Sequence, residues 1–140
     1  MSKLKAFLTE HSDIGAIEQE VVISPRFKDE KGQLLKFKIK PMSGDDFGKY
    51  QKACTTINMP GKKRETQFDS GKFNIMTIVN HCVDPDFKDA AWLKELNVVS
   101  PEMAVQKVLL AGEIVELGNK ITELSGFNVD INEEIEEAKN

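Results

Sequence analysis

The chain has 140 residues, 40% of them hydrophobic and 30% charged, with a formal net charge of −4. That length suits one domain able to bury a core without staples. The composition excludes a membrane span, because no apolar run approaches about 18 residues, and a disulfide framework, because Cys54 and Cys82 are the only cysteines.

Residues 2–11 are predicted as a short helix, with Leu4, Phe7 and Leu8 at i, i+3, i+4. The same stretch lacks the apolar core of a secretory signal. Ile17 to Ile23, holding Val21, Val22 and Ile23, reads as a strand that Pro25 closes. Asp29-Glu30-Lys31-Gly32 is a polar turn whose glycine can take positive φ. Leu35, Phe37 and Ile39 then alternate with Lys36, Lys38 and Lys40, giving one apolar and one lysine face. These segments predict a β-hairpin over about 17–40. Its apolar residues Val21, Ile23, Leu35, Phe37 and Ile39 need a cover, since a lone two-stranded hairpin is marginal.

Pro41 ends the second strand, and Ser43 is a helix N-cap with Asp45 and Asp46 in the first turn. Phe47, Tyr50, Cys54 and Ile57 follow on one helical face. Residues 58–68 read as a loop, with Pro60-Gly61 as its turn and Lys62-Lys63-Arg64 as a basic cluster. Asp69 or Ser70 caps a helix carrying Phe73, Met76, Val79 and Val83. Asp84-Pro85-Asp86 breaks it, and Asp86 caps a short helix with Phe87, Ala90, Ala91, the lone Trp92, and Leu93 or Leu96. Asn97 to Val99 connects to Ser100-Pro101-Glu102: a capping serine, a proline at the first helical position and an acid at the positive end. Val105, Val108 and Leu109 continue that helix, and Ala111-Gly112 interrupts it. Ile114, Leu117, Ile121 and Leu124 then repeat at helical spacing. Gly126 stands where a left-handed cap belongs, folding Phe127 back onto Leu124.

The expected fold is α+β, mainly α: an N-terminal β-hairpin followed by a compact bundle of about five short helices. One domain over 1–128 is expected, with the hairpin at about 17–40, helices over 43–127, and an acidic flexible tail at 129–140. The charge is uneven. Residues 21–64 hold 11 basic and 4 acidic side chains, whereas residues 130–140 hold five acids and one lysine. A basic front can mark nucleic-acid binding. Arg26 and Arg64 are the only arginines, however, and strand lysines also keep an exposed hairpin from pairing edge to edge.

Chemistry-bearing clusters are sparse. His11, His81, Cys54 and Cys82 are the candidate metal ligands. Adjacent His81 and Cys82 diverge on a helix by about 100°. Core cysteines and a surface histidine are the reading they favour. No strained, glycine-flanked nucleophile, phosphate-cradling glycine loop or complete calcium loop is present. The residues describe a cytoplasmic, non-enzymatic binding module without metal or cofactor.

One larger pattern stands out. Val83 to Leu96 (VDPDFKDAAWLKEL) leads into Val98-Val99-Ser100-Pro101-Glu102 and then LLAGEIVELGNKITELSGF, Leu109 to Phe127. With EVVIS and FKIKPMSGDDF in the front half, this order resembles the XkdN-like phage tail assembly chaperones of Gram-positive phages and prophages over about residues 17–127. The resemblance implies a non-enzymatic chaperone that binds the tape measure protein, keeps it soluble and helps recruit tail tube protein. It further implies action in the bacterial host's cytoplasm and absence from the mature virion. A longer frameshifted product also occurs in such chaperones, and Ala138-Lys139-Asn140 is compatible with a slippery codon run.

Partner-binding candidates are the aromatic and sulfur side chains Phe87, Trp92, Met103 and Phe127, and the lysines Lys36, Lys38 and Lys40. Met42, Met59 and Met76 join Met103 as adaptable surface, with plain core as the competing role of Met76 and Met103 and of the aromatics Phe87, Trp92 and Phe127. The lysine face and acidic tail suggest self-association. A tail component retained in the virion and a small nucleic-acid-binding regulator using the basic hairpin are the alternatives; on the leading reading no nucleic acid and no membrane is expected as a partner.

Overall fold

The computed structural model describes residues 14–127 except Lys62, together with Lys5 and Leu8. The helix expected over 2–11, apart from those two residues, and the tail expected over 129–140 lie outside the described residues. Strand β1 (Gln19–Val21) pairs antiparallel with β2 (Phe37–Ile39). The turn between them forms as its residues dictate. Asp29 Oδ1 accepts the backbone N–H groups of Lys31 (2.8 Å) and Gln33 (2.9 Å), and Gly32 sits at φ +80°. Val21, Phe37 and Ile39 are buried, but Leu35 is 45% exposed. It lies before β2 begins, on the rim of a groove described below.

Helix α1 (Gly44–Ala53) starts in a capping box: Ser43 Oγ accepts the Asp46 N–H, and Asp46 Oδ2 accepts the Ser43 N–H, both at 3.1 Å. The helix stops at Cys54, and two sequence expectations fail beyond it. Residues 55–68 form an antiparallel hairpin, β3 (Thr55–Asn58) with β4 (Glu65–Phe68), rather than a helix end and a loop. β-branched Thr55, Thr56, Ile57 and Thr66 favour the pleat, and Gly61 at φ +69° turns the chain. Ile57 therefore leaves the α1 face and is 51% exposed.

Helix α2 (Ser70–His81), capped by Asp69 Oδ1 on the Lys72 N–H, is the centre of the molecule. It buries Phe73, Thr77, Ile78, Val79 and His81. The expected surface histidine is thus a buried one, because the last turn of α2 tucks beneath α1, where Tyr50 Oη meets His81 Nε2 at 2.8 Å. The chain then becomes strand β5 (Cys82–Asp84), which pairs with the free side of β2. That third strand supplies part of the support a two-stranded hairpin lacks. It also carries Val83 off the expected helical face to a 37% exposed position.

Helix α3 (Ala90–Leu96) is capped by Asp89, not Asp86; Asp86 Oδ1 instead accepts the Lys88 N–H in the preceding turn. Asn97 closes α3 in the left-handed conformation (φ 58°). Ser100 caps α4 (Pro101–Val108) through the Met103 N–H, as its sequence demands. The interruption falls at Leu109-Leu110, and Ala111-Gly112 already belong to α5 (Ala111–Leu124). Here Glu113 Oε1 accepts the Leu110 N–H at 2.7 Å, a side-chain cap that starts the new helix. Helix α5 ends in a Schellman turn: the Gly126 N–H bonds Glu123 O and the Phe127 N–H bonds Thr122 O, with Gly126 at φ +99°. Phe127 rests on the ring of Phe47, 4.8 Å between centroids.

Helix α2 packs against α5, α4, α1 and β5. Ile39, Ile78, Val105, Leu117 and Ile121 are wholly removed from solvent between these elements. Gly118 of α5 lies tight against α2, where an added Cβ would meet Asn74 Oδ1 at 2.6 Å. The architecture is mainly helical, with a three-stranded sheet ordered β1-β2-β5 and a separate two-stranded one.

Candidate partner-binding groove

The sheet and the helices line an apolar groove of about 320 Å³. Its floor is Phe37, Phe87 and Leu109, all buried; its walls are Phe27, Leu35, Pro85, Trp92 and Val108. Lys36 and Asp84 are the charged side chains on its lining. The rings brace each other: Phe87 meets Trp92 edge-on at 5.7 Å, and Phe27 meets Phe37 at 5.4 Å. A cleft so poor in polar groups suits apolar side chains of a partner.

An ion pair buttresses the wall. Arg26 grips Glu113 twice, Nη2 to Oε1 at 2.6 Å and Nε to Oε2 at 3.1 Å, and donates to the Val108 carbonyl at 2.8 Å. Its guanidinium lies 4.3 Å from the centre of the Phe27 ring. Glu113 is 6% exposed, and the Arg26 hydrogen bond holds its carboxyl down at about 2. This clamp joins the chain after β1 to the α4–α5 corner, so the groove wall is held from both ends of the sequence.

A polar pocket lies elsewhere, lined by Lys40, Asp46, Tyr50, Asn80, His81 and Lys88. Burial lowers the His81 pKa, against the opposing pull of Asp46, and raises that of Tyr50. His81 Nδ1 is buried without a hydrogen-bond partner. Asp46 is committed to the α1 capping box, and its bond from the Ser43 backbone keeps it ionised at lower pH than usual. Both cysteines are buried; burial raises the Cys54 thiol and pushes the Cys82 thiol up to about 12, which leaves both as poor nucleophiles. Among the described residues no three His, Cys, Asp or Glu side chains gather into a metal site.

The groove brings together three of the residues picked from sequence: Phe87, Trp92 and Lys36. Met103 stands apart, 46% exposed on α4; Phe127 is at the far end of α5; and Lys40 lines the polar pocket. Lys36 and Lys38 face Glu20 and Glu18 across the hairpin at 4.0 and 3.9 Å, so the lysine face is partly countered by acids. Met42 is core, with Thr77 Oγ1 3.9 Å from its sulfur; Met76 is half-buried and Met59 66% exposed. Sequence reasoning missed Phe27, Leu35, Val108 and Leu109. Leu35 carried a signal, since it continued the apolar face of a strand that stops short of it. No helix among the described residues is long and apolar enough to cross a membrane.

Comparison with known proteins agrees with the fold. A family model described as phage XkdN-like tail assembly chaperone protein matches residues 4–139. The phage-like element PBSX protein XkdN of Bacillus subtilis (strain 168) is 31% identical over 137 residues, covering 96% of this chain and 93% of that protein. The protein YqbN of the same strain is also 31% identical, covering 96% and 92%. A crystal structure of YqbN superposes with a TM-score of 0.70 at 28% identity, covering 91% of this chain and 99% of that one. The chain belongs to the family of XkdN-like phage tail assembly chaperones.

Proposed function

We propose that this protein is a non-enzymatic chaperone that binds the phage tape measure protein in the apolar groove, keeps it soluble and helps recruit tail tube protein. The observation that carries the reading is the groove itself: Trp92 beside a buried floor of Phe37, Phe87 and Leu109, with few polar groups to satisfy. A long amphipathic helix presents an apolar stripe that aggregates when bare. A groove between a sheet and helices accepts such a stripe through side chains spaced one turn apart. The working unit is a single domain over residues 1–128. It acts in the cytoplasm of the bacterial host, without cofactor, and leaves before the virion matures.

Coexpression of the tape measure protein with this chain tests the proposal. The wild type is expected to hold the tape measure protein in the soluble fraction, and Trp92→Ala to lose much of that effect while remaining folded. A soluble tape measure protein with Trp92→Ala, or an insoluble one with the wild type, overturns the groove or the function respectively. Mass spectrometry of purified particles separates a departing chaperone from a retained tail component.

A further inference from the structure

The β3–β4 arm has no role in the groove, yet it is built to be covered. Its paired residues Thr55 with Phe68 and Ile57 with Thr66 place four side chains on one face. Ile57 and Phe68 are each 51% exposed there, and Met59 beyond them is 66% exposed. The two-stranded sheet presents unpaired edges, and β3 carries no charge to discourage pairing. Residues 50–68 hold four cations against one acid, Glu65. An apolar, cationic surface of this kind fits an acidic segment with regularly placed apolar residues.

This chain carries such a segment. Residues 129–138 contain Val129, Ile131 and Ile135 among Asp130, Glu133, Glu134, Glu136 and Glu137. The chain enters it at the right place. Phe127 touches Phe47 on α1, Phe47 touches Phe73, and Phe73 touches Phe68 on the arm, with centroids 4.8, 5.6 and 5.5 Å apart. The 13 residues after Phe127 span up to about 43 Å when extended, ample to follow that row of rings to the arm. Attachment to the same chain also gives the segment a high effective concentration at this surface.

We infer that residues 129–138 dock on the β3–β4 arm of their own chain, their acids against Lys52, Lys63 and Arg64 and their isoleucines against Ile57 and Phe68. Occupancy by a second copy or by another acidic partner is distinguished in the test. Hydrogen exchange of arm amides is measured in the full-length wild type and in a full-length variant with Asp130→Asn, Glu133→Gln, Glu134→Gln, Glu136→Gln and Glu137→Gln. Arm exchange is expected to quicken by about tenfold in the variant, while α2 and α5 amides keep their protection. High salt, near 1 M where screening acts within about 3 Å, is expected to weaken the protection in the wild type. A charge swap provides the positive control: Lys63→Glu with Arg64→Glu loses arm protection, and adding Glu133→Lys with Glu134→Lys restores it. Unchanged arm exchange in the tail variant overturns the inference and leaves the arm for a separate partner. Protection that grows with protein concentration overturns it in favour of a second copy.

Discussion

The α2-centred core and the β3–β4 arm are made from the same apolar residue types, yet they differ in what holds them. In the core, Ile39, Ile78 and Leu117 see no solvent, and α2 is covered by helices and a sheet edge. In the arm, all four residues of β4 are exposed, and Thr55 alone of β3 is half-buried. The arm is tied to the rest chiefly at its base, where the Asp69 N–H bonds the Cys54 carbonyl at 2.9 Å and Phe68 meets Phe73. Burial supplies most folding free energy, so the core carries the stability and the arm is nearly free of it. Binding surfaces are drawn from such lightly held regions.

The sharpest way to break this contrast is to remove methyl groups from the core. Leu117→Ala, at a site with no exposure, is expected to cost about 2–5 kcal/mol by chemical denaturation. A loss below about 1 kcal/mol would mean that α2 and α5 are not the stabilising contact. Overfilling is the next test. Gly118→Val forces the added carbons into Asn74, and a cost of about 1–3 kcal/mol is expected. Asn74→Ala should then relieve part of it, as coupled neighbours do.

Glu113→Gln probes the clamp between the two ends of the sequence. The wild-type carboxyl titrates at about 2 when folded, below its ordinary 4.5. Its stabilisation is therefore complete above about pH 4.5 and is lost as pH falls toward 2. The stability gap between wild type and Glu113→Gln should shrink over that window and stay constant from pH 6 to 8. His81 has a smaller effect centred higher. Burial lowers its folded pKa from 6.5, so the unfolded chain takes up a proton that the folded one resists. Stability should fall as pH drops below about 6.5, and His81→Gln should flatten that slope.

Much of this architecture was legible in the sequence, and most of the failures share a cause. Ser43, Asp69, Ser100 and Gly126 announced helix ends because capping is local chemistry. The alternation around Phe37 and Ile39 announced a half-buried strand for the same reason. What stayed hidden was long-range. β5 is a strand because β2 offers it an edge, and nothing in Cys82-Val83-Asp84 itself separates it from a helix end. His81 is buried because Tyr50 reaches it from another helix. Phe87 and Trp92 could be picked as groove candidates only with plain core as their competing role, while Phe27, Val108 and Leu109 line the groove where the Arg26–Glu113 pair ties the α4–α5 corner to the turn after β1. The arm was misread on two competing signals: a helical spacing from Phe47 to Ile57 and a Pro-Gly turn, of which the turn prevailed.

The smallest expected effect is the one that tests the arm most directly. Ile57→Ala removes apolar atoms from a side chain 51% exposed on a two-stranded sheet. Surface changes of this kind stay within about 0.5 kcal/mol, against several for an equivalent deletion at Leu117. Global unfolding of Ile57→Ala should therefore superpose on that of the wild type. Any consequence should appear instead in the local exchange of Thr55–Asn58 amides, because the lost contacts lie outside the core. A global loss approaching that of Leu117→Ala would show that the arm is part of the core's cooperative unit, and the division between a stabilising centre and a surface left for recruitment would fail with it.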